Sequence, residues 1–438
     1  MAMGKTGMSG MTSDQEMKMG TSDQEMKMGM SPHMNGGGHL YMGTNETRNC
    51  VVHYLRAPDG TLTEVERVHT RGAGSGLVSP IYHIPRPNHN EGAGAVTLTP
   101  DRRFLFTTNA GDNSVSSFSL SQDGKLTLLD VKRTGNPRLG GAKSVAYVPS
   151  SRTLYVLHTF GPDHIHLFSV DEEGNLKARP EQYTANTMDW PNRCPTMAVP
   201  SPDGRFLVVG TTFDELPTKY PDGSLILWIP KGPNGDLHFI GSNAPDSNGI
   251  IVFPIREDGA LGDPSVCDGG GASPFYIAFL HHRPDTFVIG MAVADGCAIG
   301  RISAEGKAHV GPVLPIDTSA GLPSELCWLQ VSPDDRFVYA TNFGYSYLSS
   351  FSIDGNVLSI AKDPACPKVP GDGTFRALNA TAGSGPSDSW LSPDGAYLYQ
   401  IYGNASKLVG YAAQPDGSLS EISRVDIPYN SPQGLAGF

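Results

Sequence analysis

Three carboxylates, Glu91, Glu325 and Asp388, and three cations, Arg138, Lys143 and Arg193, fall in irregular stretches between apolar runs, together with His83 and His89. A carboxylate can take a proton from water and return it to a departing oxygen, while a cation faces the charge that grows on a carbonyl oxygen. Arg and Lys also hold an anionic substituent, Arg bidentately. The set therefore suits hydrolysis of a small polar or anionic substrate. Glu91, Glu325 and Asp388 are the candidate acids and bases, and Arg193 is the candidate anchoring and oxyanion cation. His83, His89, Arg138 and Lys143 are candidate substrate-binding groups. Each carboxylate also has a plainer reading, as the partner of a neighbouring cation or a cap on loop amides. These residues span positions 83 to 388, so only a fold that gathers distant loops could make one site of them.

Other residues with chemical potential have a bland reading. His164 and His166 alternate with Ile165 and Leu167, so both face one side of a strand. That spacing permits a metal pair, but it equally suits histidines packed between sheets with satisfied hydrogen bonds. His281-His282 stands where a solvated turn is expected. The six cysteines are scattered without a CxxC pair, which argues against a thiolate zinc site and for a reducing compartment. No cofactor is demanded; a divalent cation in a central channel is the one metal that this reading admits.

What must position the candidates is a repeat. The 52 Gly and 35 Pro, with only 17% charged residues, suit many short strands and tight turns rather than long helices. An acidic-Gly pair recurs at Asp59, Asp123, Glu173, Asp258, Glu305, Asp354 and Asp416, each between alternating apolar runs. Such pairs favour hairpins because the turn needs positive φ. A second turn precedes a β-rich run at Thr99-Pro-Asp, Val148-Pro-Ser, Ser201-Pro-Asp, Ser332-Pro-Asp and Ser392-Pro-Asp, and has decayed at Arg283-Pro-Asp. Each unit reads as four antiparallel strands, and seven such units predict an all-β, seven-bladed β-propeller. The gap of 85 residues between Glu173 and Asp258 is the longest and holds an insertion at about 211–248.

The first unit lacks an innermost strand, and the last residues, 433–438, supply one. Pairing them closes the ring and removes a free sheet edge. Residues 38–438 then form one domain. The two repeated turns fall on one face, so function is expected on the opposite, upper face, where long connections carry the candidates. Residues 1–37 are a different material. Eleven of 14 Met lie within the first 42 residues, and TSDQEMKMG occurs twice in succession. This segment reads as a disordered low-complexity tail, with Met26, Met28, Met30, His33 and Met34 as alternative soft-metal ligands for Cu(I).

The net charge of −12 argues against nucleic acid as a partner, and the longest apolar run, 287–294, is far too short to span a membrane. The N-terminal residues carry no basic start followed by an apolar stretch. The expectation is a cytoplasmic protein with a small-molecule substrate, its oligomeric state open. Asn45, Asn379 and Asn404 begin N-x-S/T sequences that mean little without secretion.

The run Ala95-Val-Thr-Leu-Thr-Pro-Asp-Arg-Arg-Phe-Leu-Phe-Thr-Thr-Asn109, followed by Asn113-Ser-Val-Ser-Ser-Phe and Asp123-Gly-Lys-Leu, resembles the seven-bladed lactonase family. That family includes bacterial 6-phosphogluconolactonases and fungal carboxy-muconate lactonizing enzymes. The resemblance implies a propeller throughout and a lactone as substrate, with a propeller that only binds a ligand or protein as the alternative. Members place Pro-Arg-His or Pro-His at the top of an innermost strand. The matching positions here read Ala142-Lys143-Ser144, Pro195-Thr196-Met197, Leu326-Cys327-Trp328 and Pro386-Ser387-Asp388. The resemblance therefore names no catalytic histidine in this chain.

Overall fold

The computed structural model describes residues 37–438, apart from 78, 80–85, 88–91, 136–140, 187–192, 214–248, 269–272, 319–322 and 378–381. The chain divides into Met1–Asn35 and Gly36–Phe438, and the description concerns the second unit. The Met-rich tail with its candidate Cu(I) ligands, the body of the insertion and Asn379 lie outside the described residues.

Seven antiparallel sheets follow one another along the chain as the blades of a ring. Blade one combines an innermost strand, Gln433–Gly437, with Gly38–Gly43, Cys50–Arg56 and Leu62–His69. Blade two is Val96–Leu98, Phe104–Asn109, Ser114–Leu120 and Leu126–Arg133. Blade three is Ala142–Val148, Thr153–His158, Ile165–Val170 and Leu176–Tyr183; blade four is Cys194–Pro200, Phe206–Phe213, Gly249–Pro254 and Ser265–Asp268. Blade five is Pro274–Phe279, Thr286–Met291, Gly296–Ile302 and Ala308–Val310, with Leu314–Pro315 also pairing its third strand. Blade six is Leu326–Val331, Phe337–Asn342, Tyr347–Asp354 and Val357–Lys362, and blade seven is Pro386–Leu391, Tyr397–Tyr402, Lys407–Ala413 and Leu419–Asp426. The insertion falls between the second and third strands of blade four.

Both turns expected from the sequence are formed, and both lie at the lower rim. In the Ser/Thr-Pro-Asp turn the hydroxyl does two things. Ser201 Oγ donates to Asp203 at 2.6 Å and accepts the Phe206 amide at 3.0 Å, and Ser332 repeats this with Asp334 and Phe337 at 2.6 and 2.8 Å. One side chain thus satisfies a carboxylate and the first amide of the next strand. All seven acidic-Gly glycines have positive φ, from 57° at Gly355 to 86° at Glu173's neighbour Gly174.

Conformation is only half of what those glycines supply. A Cβ on Gly60 would stand 2.4 Å from the Tyr397 ring, on Gly174 2.4 Å from Phe104 and on Gly306 2.7 Å from Phe206. In each case the ring opens the second strand of the preceding blade. The same turns are gripped by hydroxyls from that blade. Tyr399 donates to Gly60 O at 2.6 Å, Tyr41 to Gly124 O at 2.7 Å, Ser117 to Gly174 O at 2.6 Å and Tyr155 to Gly259 O at 2.7 Å. The repeat therefore encodes the contact between blades as well as the hairpin.

Apolar clusters fill the seams between neighbouring blades. Burying each Leu, Phe or Val in them contributes about 1.5–3 kcal/mol. The ring is closed as expected. Leu40 pairs with Gly437, Tyr41 with Ala436 and Met42 with Leu435, while the amide of His39 and the carbonyl of Phe438 bond at 2.8 Å. Inside this seam His39 Nδ1 meets His53 Nε2 at 2.8 Å, and Tyr41 stacks on His53.

Candidate functional site

The upper ends of the innermost strands are where the candidates converge. Six of those strands lose register there: between Ala142 and Ser144, Pro195 and Met197, Pro274 and Ile277, Leu326 and Leu329, Pro386 and Ser389, and, in the closing strand, Gln433 and Leu435. A residue left out of the ladder is free to be re-aimed. In blades three and seven the re-aimed residues include Lys143 and Asp388.

Asp388 is buried, with 4% of its surface exposed. One carboxylate oxygen accepts the Gly434 amide of the closing strand at 3.0 Å, and the other accepts the Gly94 amide at 3.4 Å. Burial pushes its carboxyl up to about 6, against the pull of those two amides. Lys143 is 1% exposed, and its Nζ donates to Pro195 O at 2.7 Å, with Cys194 Sγ 3.8 Å away. It ties the top of one innermost strand to the next.

Between these two groups the chain crosses the upper end of the axis. The Ala93 amide donates to Thr196 O in blade four at 3.1 Å. Gly94 N reaches Asp388 in blade seven, and Gly94 O accepts from Val145 in blade three at 2.9 Å. Only small residues fit this path. A Cβ on Gly92 would lie 2.8 Å from both Lys143 Cδ and Thr196 O, and Gly94 has φ 76°. Ala93 is 1% exposed and packs in the apolar cluster that includes Trp328 and Phe375. Arg86, earlier in the same connection, lies 5.7 Å over the Phe343 ring and 5.8 Å over Phe375.

On the innermost strands, Tyr276 and Gln330 are half-buried and adjoin Asp388's neighbour. Gln330 Nε2 donates to Ser389 O at 2.9 Å and lies 3.3 Å from the Tyr276 hydroxyl. Burial, with Asp388 adding to it, pushes the Tyr276 phenol up to about 12.

The remaining candidates are placed differently. His83, His89, Glu91 and Arg138 lie outside the described residues. Arg193, expected in a connection of the upper face, is 3% exposed. Its guanidinium lies over its own blade, with Cζ 3.3 Å from where a Cβ on Gly249 would stand. A cation in a connection can turn along the top of a blade as readily as toward the axis. Glu325 is 7% exposed with φ 53°, and its amide and those of its neighbour Ser324 are held by Asp295 Oδ1 at 2.8 Å.

Of the histidine pair, His164 follows the packed reading, while the buried Nε2 of His166 has no hydrogen-bond partner among the described residues. His164 Nε2 bonds Arg193 O at 3.1 Å and its Nδ1 accepts the Ala185 amide at 3.1 Å, so it positions the chain entering blade four. Burial pulls it down to about 4. Among the described residues no group of three His, Cys, Asp or Glu could hold a metal ion.

A pocket of about 310 Å³ opens on the upper side of blade seven, walled by Pro370, Asp372, Asn404, Lys407, Arg424 and Tyr429. The sequence reading singled out Asn404 only as a sequon. As a sequon Asn404 is blocked, since its Nδ2 donates to Thr374 Oγ1 and Tyr429 Oη, both at 3.0 Å. Asn45 is likewise engaged, with Ser75 Oγ at 2.8 Å.

Comparison with known proteins agrees with this architecture. The family model "Lactonase, 7-bladed beta-propeller" matches residues 31–190. A 6-phosphogluconolactonase from Erwinia tasmaniensis is 24% identical over 298 residues, covering 64% of this chain and 83% of that one. The periplasmic gluconolactonase of Pseudomonas aeruginosa superposes with a TM-score of 0.62 at 16% identity, over 92% of this chain and 99% of that one. A putative 6-phosphogluconolactonase from Bacteroides fragilis gives 0.61 at 14% identity, over 93% and 100%. Matched by sequence through its first blades and by fold around the whole ring, the chain is a seven-bladed β-propeller similar to the lactonase family.

Proposed function

We propose that the protein hydrolyses a small polar or anionic lactone at the axial end of its innermost strands. The observation that carries this reading is Asp388, a carboxyl with its ordinary value raised to about 6, in a chain similar to lactonases. Near neutral pH such a group is mostly ionised yet basic enough to exchange protons. As a carboxylate it takes a proton from water while the oxygen attacks the lactone carbonyl. The carbonyl π electrons move to oxygen, and the resulting oxyanion faces a cation or amide donors. Collapse breaks the bond to the ring oxygen, which leaves with the proton from Asp388. The product is an open hydroxy acid. Lys143, Arg193 and Arg138 are the cations assigned to the oxyanion or to an anionic substituent. Glu91 and Glu325 are the alternative bases, and His83 and His89 are substrate contacts.

Six free cysteines, five of them buried, suit a reducing compartment, which supports the cytoplasm as its place of action. Among the described residues no helix is long and apolar enough to cross a membrane.

A second reading has its own observation. Asp388 and Lys143 both hydrogen-bond backbone groups, as they would in a non-catalytic propeller that binds a ligand or protein. One experiment separates the two. Purified protein is assayed on free, phosphorylated and carboxylated sugar lactones, with and without chelator and divalent ions, from pH 5 to 8. The hydrolase reading expects kcat/KM to rise as a group near pH 6 ionises, and Asp388→Asn to lose about 10²–10⁴-fold while the protein still melts cooperatively. Folded protein that opens no lactone in the panel would leave the binding platform standing.

A further inference from the structure

The pocket on blade seven is not part of that chemistry, yet it is built from polar side chains fixed by one another. Tyr429 Oη donates to Asp372 Oδ2 at 2.8 Å and accepts from Asn404 Nδ2 at 3.0 Å. Thr374 Oγ1 donates to Asp372 Oδ1 at 2.6 Å, and Asn404 Oδ1 accepts the Asp372 amide at 3.0 Å. Asn404 commits both Nδ2 protons and one Oδ1 lone pair to these contacts. Asp372 is the exposed member: its Oδ1 takes both the hydroxyl and, at 2.9 Å, the amide of Thr374, while its Oδ2 accepts Tyr429 Oη and keeps a lone pair. Burial alone would raise its carboxyl, but bonds from Thr374, Tyr429 and Asn404 hold it below the ordinary value. The network thus presents a fixed, ionised acceptor at the pocket.

Opposite this acceptor stand donors. Lys407 Nζ pairs with Asp426, and Arg424 forks onto Glu421 at 2.5 and 2.7 Å. Both cations are partly exposed, and exposed ion pairs are weak enough to yield a donor to a ligand. The described charges around the pocket are three carboxylates against two cations. A ligand carboxylate or phosphate would therefore meet a field of its own sign. A neutral ring with adjacent hydroxyls meets no such penalty. Its hydroxyls can donate to Asp372 and accept from Lys407 and Arg424, while its apolar face covers the Tyr429 ring. About 310 Å³ is at the small end of ligand sites, roughly 300–1,000 Å³, which leaves room for one ring rather than a chain.

We propose that this pocket binds a neutral polyhydroxylated ring of monosaccharide size, at a site separate from Asp388 and the axis. The proposal does not depend on the protein being a hydrolase. The test is saturation-transfer NMR and calorimetric titration of the full chain with D-glucose, D-galactose, D-mannose and myo-inositol, against D-glucuronate. Saturable binding of at least one neutral compound is expected, with glucuronate at least tenfold weaker. Asp372→Asn should weaken the neutral compound by tenfold or more with an unchanged circular dichroism spectrum. Should Asp372→Asn not fold, Lys407→Ala and Arg424→Ala, at exposed positions, each provide the same readout with a severalfold loss. The proposal is overturned by the absence of saturation with every neutral compound. It is equally overturned by glucuronate binding as tightly as the neutral ones, or by binding that no pocket substitution changes.

Discussion

At the lower rim Gly60, Gly174 and Gly306 do the same thing in three blades: each takes positive φ beneath an aromatic ring of the preceding blade. At the upper end Gly92, Gly94 and Gly434 each do something done nowhere else. Gly92 clears Lys143 and Thr196, Gly94 donates to Asp388, and Gly434 passes close under Val96 while donating to the same carboxylate. The lower rim is a repeated local solution that holds neighbouring blades together. The upper end is a single construction that ties blades two, three, four and seven and the closing strand around one buried carboxyl. Repetition marks what every blade needs, and its loss marks where this particular propeller departs from a generic ring.

The largest effect should come from breaking both at once. Removing residues 431–438 deletes the strand that pairs with Leu40, Tyr41 and Met42 and takes one of the two amides from Asp388. It also opens a sheet edge in blade one. The expected loss is several kcal/mol, a large fraction of a domain's stability, accompanied by aggregation. Urea unfolding and light scattering read it directly. A truncated protein with the parent's midpoint would show that closure contributes nothing.

Acid should come next, and it tests both ends. Burial holds His39 and His53, in the lower seam, down to about 4, and His158 and His164, in blade three, down to about 3 and 4. A histidine depressed in the folded state contributes stability that is fully present above its unfolded value near 6.5. That stability is lost as pH falls through the folded value. Asp388 has the opposite sign: its raised value favours the protonated form, so its contribution is present at low pH and is lost as pH rises through about 6. With the buried histidines outnumbering the two carboxyls raised by burial, Asp388 and Asp295, net stability should fall by a few kcal/mol between about pH 6.5 and 4. His164→Gln, which can keep a single hydrogen bond, should flatten part of that slope. A flat profile over this window would mean these imidazoles are not buried as neutral groups.

Substitution of single glycines sharpens the comparison further. Gly434→Ala would set a Cβ 2.6 Å from the Val96 backbone nitrogen at φ 83°, and backbone cannot step aside. Gly60→Ala would meet the Tyr397 ring at 2.4 Å at φ 82°. Both should cost about 2–4 kcal/mol in urea melts, from left-handed strain plus the contact. Gly434→Ala should in addition disturb the Asp388 environment and move any pH optimum that depends on it, which Gly60→Ala should leave in place.

The same contrast explains what the sequence made legible. The seven blades, the closing strand and both lower turns could be read because each rests on residues adjacent in sequence: Ser-Pro-Asp, or an acidic residue before Gly, between alternating runs. The crossing at residues 92–95 could not be read, because its glycines answer to Lys143 and Thr196, some 50 and 100 positions away. Asp388 and Lys143 were recognisable as upper-end charges from their place at the tops of innermost strands. Arg193 was recognisable by type, but residue type does not fix which way a side chain turns. The blade-seven pocket left almost no trace in the sequence, since Asp372, Asn404 and Tyr429 become a unit only when three separate connections meet.

The smallest expected effect separates the two duties of the lower-rim glycines. Gly355 occupies the same turn in blade six as Gly60 does in blade one, with φ 57°, yet a Cβ there would meet nothing within 4 Å. Gly355→Ala therefore retains the conformational penalty and drops the steric one. A left-handed residue other than Gly costs about 1–2 kcal/mol, partly offset because Ala also restricts the unfolded chain. The net loss should be about 1 kcal/mol or less, against several times that for Gly60→Ala. Gly355→Asn, a residue that tolerates this region, should cost less still. Equal losses at positions 60 and 355 would show that turn conformation alone demands glycine at the lower rim. The aromatic rings of the preceding blades would then be packing against the turns without selecting them.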